Sequence, residues 1–468
     1  MKRSTFLFLV GLSAAGVADT LLGGNPRFRR GDANDDGSLD LTDATYTLGY
    51  LFLGKPKSLG CLDAADSNDD GTLDISDAVR SLGFLFLGDP PPPPPFGECE
   101  FDPTPDRLRC AAFAGCELTP PNGGLVFAEP VTYGTGEGPV CTVLGDLNAD
   151  GALDVAVANY RTDDVSVLLG VGDGTFGEAA RYGVGDGPRS IAIGDINADG
   201  ALDVAVANYL SNDLTILLGA GDGSFGPAAS RGVGRSPSSL VLGDFDVDGA
   251  LDLAVADGYG DRYSRIFILL GTGDGTFRDT VGYNAGHLSI AMAVDDLDGD
   301  GAEDLAVANG GGGLSILLGA GDGTFSKAVM YASGRSIRSV AIGDLNGDGA
   351  LDIAAASDSG EVSILIAAGN GTFGEPFGCR VGENLQSAAI GDIDGDGALD
   401  LAISDDDDVD EAVSILLGAG DGTFREPVTF GVGSSTGSVV LGDLDGDGAL
   451  DLVVLKYYRN DVSILLAR

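Results

Sequence analysis

The 468-residue chain contains no tryptophan, a single histidine and three methionines. With His287 as the one imidazole, the side chain most used for general acid–base chemistry is almost missing, and His287 itself falls where a surface loop is expected. The missing indoles count against a lectin that stacks sugars on large aromatic faces. Basic residues are scarce as well: 26 Lys and Arg stand against 72 Asp and Glu, a formal net charge of −46. A surface of that sign repels nucleic acid and, if uncompensated, repels itself. No stretch reaches the roughly 18 consecutive apolar residues of a membrane-crossing helix, so no membrane span is expected.

Glycine is plentiful instead, at 76 residues, and it falls in register with aspartate. The nonapeptide Asp146-Leu-Asn-Ala-Asp-Gly-Ala-Leu-Asp154 returns in six related copies that start at Asp195, Asp244, Asp296, Asp344, Asp392 and Asp443. The intervals are 49, 49, 52, 48, 48 and 51 residues, and a near-constant period of this length marks a repeat architecture.

Oxygen-bearing side chains at positions one, three, five and nine, with glycine at six for the sharp turn, can wrap one hard cation, and the carbonyl at seven adds a ligand. The first copy supplies Asp146, Asn148, Asp150 and Asp154, and the second Asp195, Asn197, Asp199 and Asp203. The third and fourth supply Asp244, Asp246, Asp248, Asp252 and Asp296, Asp298, Asp300, Asp304. The last three supply Asp344, Asn346, Asp348, Asp352, then Asp392, Asp394, Asp396, Asp400, then Asp443, Asp445, Asp447, Asp451. Such residues also favour plain turns, but seven copies in register point to calcium.

The segment after each loop does not read as a helix. A full EF-hand loop carries a carboxylate at position twelve, where the first copy has Val157, inside Asp154-Val-Ala-Val-Ala-Asn159. That alternation predicts a strand. Each repeat continues with a second strand pattern (Asp164 to Gly170), a Gly-Asp-Gly-Thr-Phe turn (Gly172 to Phe176) and a short segment ending near Tyr182. Four strands per repeat predict propeller blades. The last repeat stops at Asp461 to Arg468 without its turn and fourth strand, and Leu125 to Tyr133 matches the missing piece. The expected fold is therefore all-β: a seven-bladed β-propeller of four-stranded blades over residues 125–468, closed by pairing of its two ends, which leaves no open edge. On these motifs the chain resembles the calcium-binding propellers of the FG-GAP and VCBS repeat families, including the head of integrin alpha chains.

Residues 1–18 read as a secretory signal: Met1-Lys-Arg-Ser-Thr, an apolar core from Phe6 to Val10, and small residues to Ala18. A secreted or cell-surface protein is expected, with no cysteine placed for a lipid anchor. Residues 19–89 hold a second duplicated loop. Asp32, Asn34, Asp36, Asp40 and Asp43 occupy positions one, three, five, nine and twelve, and Asp66, Asn68, Asp70, Asp74 and Asp77 repeat them 34 residues later. Each loop is followed by an apolar stretch, Ala44 to Leu53 and Ala78 to Leu87, that suits a short helix. This pattern resembles the dockerin family, a small α-helical calcium module. The resemblance implies a cohesin-like partner contacted at positions ten and eleven, here Leu41, Thr42, Ile75 and Ser76, of which Leu41 and Ile75 depart from the usual small polar pair.

Counted together, nine loops hold 33 of the 72 acids, and nine calcium ions would return 18 positive charges, leaving −46 + 18, or about −28. The stretch 90–124 opens with Pro90 to Pro95, a stiff spacer, and carries Cys99, Cys110 and Cys116. With Cys61 they form an even set of unassigned pairing. Cys141 and Cys379 are expected as small buried residues in the propeller, too far apart to pair.

Alternating strand direction puts the nonapeptide loops and Gly-Asp-Gly turns on one rim. The opposite rim carries Tyr160, Tyr209, Tyr259 and Tyr457, with Arg161 and Arg189 nearby. Tyrosine with arginine is a common recognition surface, although each tyrosine could merely cap its own blade. The function expected is a calcium-binding protein- or glycan-binding adhesion module, monomeric, with the dockerin-like part for attachment. The alternative is a lectin or a polysaccharide lyase or hydrolase component. Enzyme activity is not expected, because most paired carboxylates are committed to metal.

Overall fold

In most repeats the segment after the nonapeptide loop alternates in size rather than in polarity. Asp154-Val-Ala-Val-Ala-Asn159 is a strand buried along its whole length, because both its faces are covered by other sheets. Val155 and Val157 pack with Val453, Leu455 and Ile464 of the seventh repeat. Ala156 and Ala158, on the other face, pack with Val204 and Val206 of the second. The same pairing recurs at other interfaces: Ala205 and Ala207 meet Leu253 and Val255, and Ala354 and Ala356 meet Leu401 and Ile403. At these interfaces small residues on one sheet receive large ones from the next, whereas blade seven offers Val453 and Leu455 to Val155 and Val157.

The computed structural model describes residues 125–468, apart from 259–263, 279–280, 335, 407–411 and 434–435. The chain divides between Pro120 and Pro121, so the expected signal, dockerin-like module and linker, with Cys61, Cys99, Cys110 and Cys116, lie outside the described residues. Among the described residues twenty-eight strands group into seven four-stranded antiparallel sheets. Blade one comprises an inner strand, Pro139–Gly145, then Asp154–Asn159, Asp164–Leu168 and an outer strand, Ala180–Gly183. The core is divided among seven interblade clusters. No helix among the described residues is long and apolar enough to cross a membrane.

Closure takes the expected route. Val131–Gly134 pairs antiparallel with Asp461–Leu465, in the register Val131↔Ile464 to Gly134↔Asp461. Ahead of it Phe127 bridges Ala467, as Phe176 bridges Gly170 within blade one. The Phe127 ring stands edge-on to Phe430 at 4.9 Å, which ties the first residues to blade six as well. Hydrogen bonds and apolar burial therefore join the two ends of the ring, and no blade is left with three strands.

The Gly-Asp-Gly-Thr-Phe turns join blades as well as strands. Gly174 N–H donates to the Leu444 carbonyl of the preceding blade at 3.0 Å, and Gly223 N–H to Leu147 at 3.1 Å. Gly174 has φ +78°, and a Cβ there would stand 2.5 Å from Leu466 Cδ1. Only glycine meets both conditions.

Cys141 and Cys379 are both free thiols. They are half-buried rather than buried, because Cys141 sits on an inner strand facing the central channel and Cys379 on an outer strand.

Candidate functional site

The nonapeptide loops lie between the inner and second strands of each blade. Position nine begins the second strand and is fully buried in all seven copies. Its carboxylate has a structural task. Asp154 Oδ2 accepts the Leu147 N–H at 2.8 Å and Oδ1 accepts the Gly170 N–H at 2.7 Å, clamping the loop to the end of the third strand. Asp304 makes the same pair with Leu297 and Gly319, and Asp451 with Leu444 and Ala467. Burial pushes the carboxyls of Asp252, Asp304 and Asp400 up to about 6, against the lowering effect of those same amide bonds.

Positions one and five fold the loop around itself. Asp146 accepts the amides of Asp150 and Gly151, and Asp150 accepts that of Ala152. The result draws carboxylates together. In four loops three acids bring one oxygen each within 4.8 Å of one another: Asp244, Asp246, Asp248; Asp296, Asp298, Asp300; Asp392, Asp394, Asp400; and Asp443, Asp445, Asp451. In the other three loops position three is an asparagine whose amide donates to the acid at five, as Asn148 does to Asp150 at 2.9 Å, Asn197 to Asp199 and Asn346 to Asp348.

These clusters fit a metal ion. Asp246 Oδ1 and Asp392 Oδ1 are buried and have no hydrogen-bond partner, so in two of the four clusters an oxygen has lost water without gaining a donor. Like charges so placed raise each other's affinity for protons or for a cation. One loop has a partial substitute: the Arg278 guanidinium lies 3.4 Å from Asp246 and 3.3 Å from Asp248. Sequence reasoning missed Arg278. Its signal was its place directly after the Phe277 turn, which only blade six matches, with Arg425.

On the opposite rim Tyr160, Tyr209 and Tyr457 follow the second strands of their blades. The Arg161 guanidinium of blade one stands 4.9 Å from the centre of the Tyr457 ring of blade seven, and Arg189 stands 5.3 Å from that of Tyr209. Tyr160, Tyr209 and Tyr457 are half-buried and Arg161 and Arg189 exposed, so these pairs face solvent while holding each other's geometry. Tyr259 lies outside the described residues, as do Asp32 to Asp43, Asp66 to Asp77, Leu41, Thr42, Ile75 and Ser76. His287 is exposed in the connection between blades three and four.

On this rim a cavity of about 670 Å³ opens into the central channel. It gathers Tyr160, Arg189 and Tyr457 with Arg338, Gln386 and Tyr458, while Tyr209 and Arg161 stay outside its lining. Arg338, Gln386 and Tyr458 were not anticipated. Arg338 and Gln386 occupy the second residue of their inner strands, where the strand register shifts in every blade. Such a bulge re-aims one side chain. Aligning the inner strands of the repeats would have exposed the position.

The comparisons with known proteins agree with the geometry. The FG-GAP-like repeat pattern matches six overlapping spans, 146–206, 195–255, 244–307, 296–355, 344–403 and 392–454. Two crystal structures of BBS1N in complex with ARL6DN, soaked with mercury or with lead, superpose with TM-scores of 0.53 and 0.52 at 12% and 13% identity. The superpositions cover 74% and 73% of this chain and 97% of each of those chains. At such identity the likeness is one of fold. No curated protein matches. Spanning the repeats from the first nonapeptide to the second strand of the last blade, the match places this chain in the FG-GAP-like repeat family.

Proposed function

We propose that the protein is an exported, calcium-stabilised propeller that binds a protein partner through its tyrosine-bearing rim, and that it works by binding rather than by catalysis. The observation that carries the reading is the Arg–Tyr pairing on that rim, Arg161 over Tyr457 and Arg189 over Tyr209. Aromatic rings held by packed guanidiniums offer contact area at little cost in side-chain entropy. The opposite rim is occupied by the aspartate loops, whose donor set of hard oxygens suits calcium. That a fold neighbour, BBS1N, was crystallised in complex with ARL6DN adds support for protein binding. The dockerin-like residues 19–89 would attach the propeller to a cohesin-like partner, and residues 1–18 would direct export to the cell surface or the medium.

The test is capture from secreted and surface fractions of the source cells by the full chain in calcium. The comparison is a variant with Tyr160→Ala, Tyr209→Ala and Tyr457→Ala. Each captured protein should be purified and rebound singly. Retention of every partner by the triple variant would refute the rim assignment.

A further inference from the structure

Seven inner strands line the central channel; in six the register shifts at the second residue, and in blade seven across Gly437 and Ser438. These bulges form a ring at the tyrosine-bearing mouth. Around it the positions are Val140, Arg189, Ser238, Ile290, Arg338, Gln386 and, in blade seven, Gly437. The aspartate loops of the same repeats are nearly identical, so the bulge ring is where the blades are individual.

Two of the seven bulges are arginines, in blades two and five, which is as far apart as seven blades allow. Both line the same cavity, whose only other charged lining residue among those described is Asp406. A mouth with two guanidiniums against one carboxylate is anomalous in a chain of net charge −46. Arg338 also carries a buried Nε with no hydrogen-bond partner, although its outer nitrogen lies 3.5 Å from Asp358. Several polar neighbours in the lining are already engaged. Ser190 accepts the Leu240 amide, Ser238 donates to the Ser289 carbonyl, and Ser339 accepts the Ala388 amide. The Gln386 amide nitrogen donates to Asn384. An anion entering the mouth finds two fork-shaped donors. Around the ring the bulges between the arginines include Val140 and Ile290, apolar walls that suit the hydrocarbon stem of a side chain.

We infer that the channel mouth is a carboxylate-binding site, which takes an acidic side chain or the terminal carboxylate of the partner protein between Arg189 and Arg338. The inference rests on the reading of this rim as the partner surface and names the group that the rim accepts. A carboxylate fits better than a phosphate, which draws on several donors at once, because Arg338 already shares its guanidinium with Asp358. The net field of the protein opposes acidic ligands, so a local preference for them must come from these residues.

Two random peptide libraries, one with free C-termini and one amidated, would be selected on the full chain in calcium. Enrichment of Asp and Glu in both libraries identifies a side-chain carboxylate. Enrichment confined to the free library identifies a chain end. In either case the selected peptides should bind the Arg189→Gln, Arg338→Gln double variant at least about tenfold more weakly. Arg380→Gln, exposed on the outer strand Phe377–Arg380 beside Glu383 and outside the cavity, should bind them as the unmodified chain does, and unchanged melting in calcium certifies the fold of both variants. No enrichment of carboxylates, or equal binding to the double variant, overturns the inference. Selected peptides that lack acids but are lost on the triple tyrosine variant would sink the carboxylate site and leave the rim reading intact. Peptides indifferent to both variants would sink both.

Discussion

Removing calcium should lower the melting temperature of the propeller by many degrees, and the loops allow the size of the effect to be worked out. A site filled at ten times its dissociation constant contributes RT ln 11, about 1.4 kcal/mol, to the folded state. The four loops in which three carboxylate oxygens converge within 4.8 Å then contribute about 6 kcal/mol together, and all seven loops about 10 kcal/mol. Unfolding some 340 residues releases about 0.7 kcal/mol per kelvin of entropy near the midpoint. Chelation should therefore cost about 8 °C if only the four count and about 14 °C if all seven do. Scanning calorimetry in EGTA and in millimolar calcium is the suitable assay, since the chain has no tryptophan to report by fluorescence. Magnesium at the same concentration should restore little, because its strict octahedral shell dehydrates reluctantly. A melting curve indifferent to chelator would refute the metal assignment outright, and with it the explanation of the unpartnered oxygens of Asp246 and Asp392.

Acidity should act in the opposite sense on the metal-free protein. Asp252, Asp304 and Asp400 rise from 3.8 to about 6 on folding, so the folded state binds more protons between those values. Stability in EGTA should then fall as pH rises from about 4 to about 6, by up to roughly 3 kcal/mol per residue. Melting curves across that range that rise instead would contradict it. Val247 holds a left-handed φ of 54° at loop position four, is 60% exposed, and is replaced by glycine in the last four copies. Val247→Gly should raise stability by about 1 kcal/mol in urea titrations, and a loss would show that the side chain packs usefully. Arg278→Gln should tighten calcium binding at the third loop several-fold by freeing Asp246 and Asp248, which equilibrium dialysis against the parent chain would detect. Deleting residues 125–134 should leave Asp461–Leu465 as an open edge, visible as aggregation or loss of the cooperative transition. A monomeric deletion variant with the parent melting curve would refute closure.

Much of the fold is legible in the amino-acid order because a repeat multiplies weak signals. One Asp-Leu-Asn-Ala-Asp-Gly is a turn, but seven at a near-constant interval set blade number, blade boundaries and, through the missing fourth strand, the pairing of Leu125 to Tyr133 with the last blade. The same averaging hides the site. Arg338 and Gln386 matter because they differ from their counterparts, and nothing local distinguishes them from other surface side chains until the register shift aims them at one channel. The clamp role of position nine was hidden for another reason. Its partners, such as Gly170 for Asp154, lie 16 residues away across two strands, beyond the reach of a spacing argument.

The division of labour between the rims comes from what each position can tolerate. A loop acid such as Asp304, holding two backbone amides while buried, cannot change without unfastening its blade, so the aspartate rim stays uniform around the ring. A bulge residue such as Arg189 bears no such duty: removing its side chain breaks no backbone bond, and the strand pairs past it from Pro188 to Ser190. Chemistry that varies from blade to blade can accumulate only there and in the adjoining Tyr160, Tyr209 and Tyr457 loops. A partner held on that rim would meet five kinds of side chain and a glycine presented by seven nearly equal supports. Binding and stability can then be altered separately, with calcium setting one and the channel mouth the other.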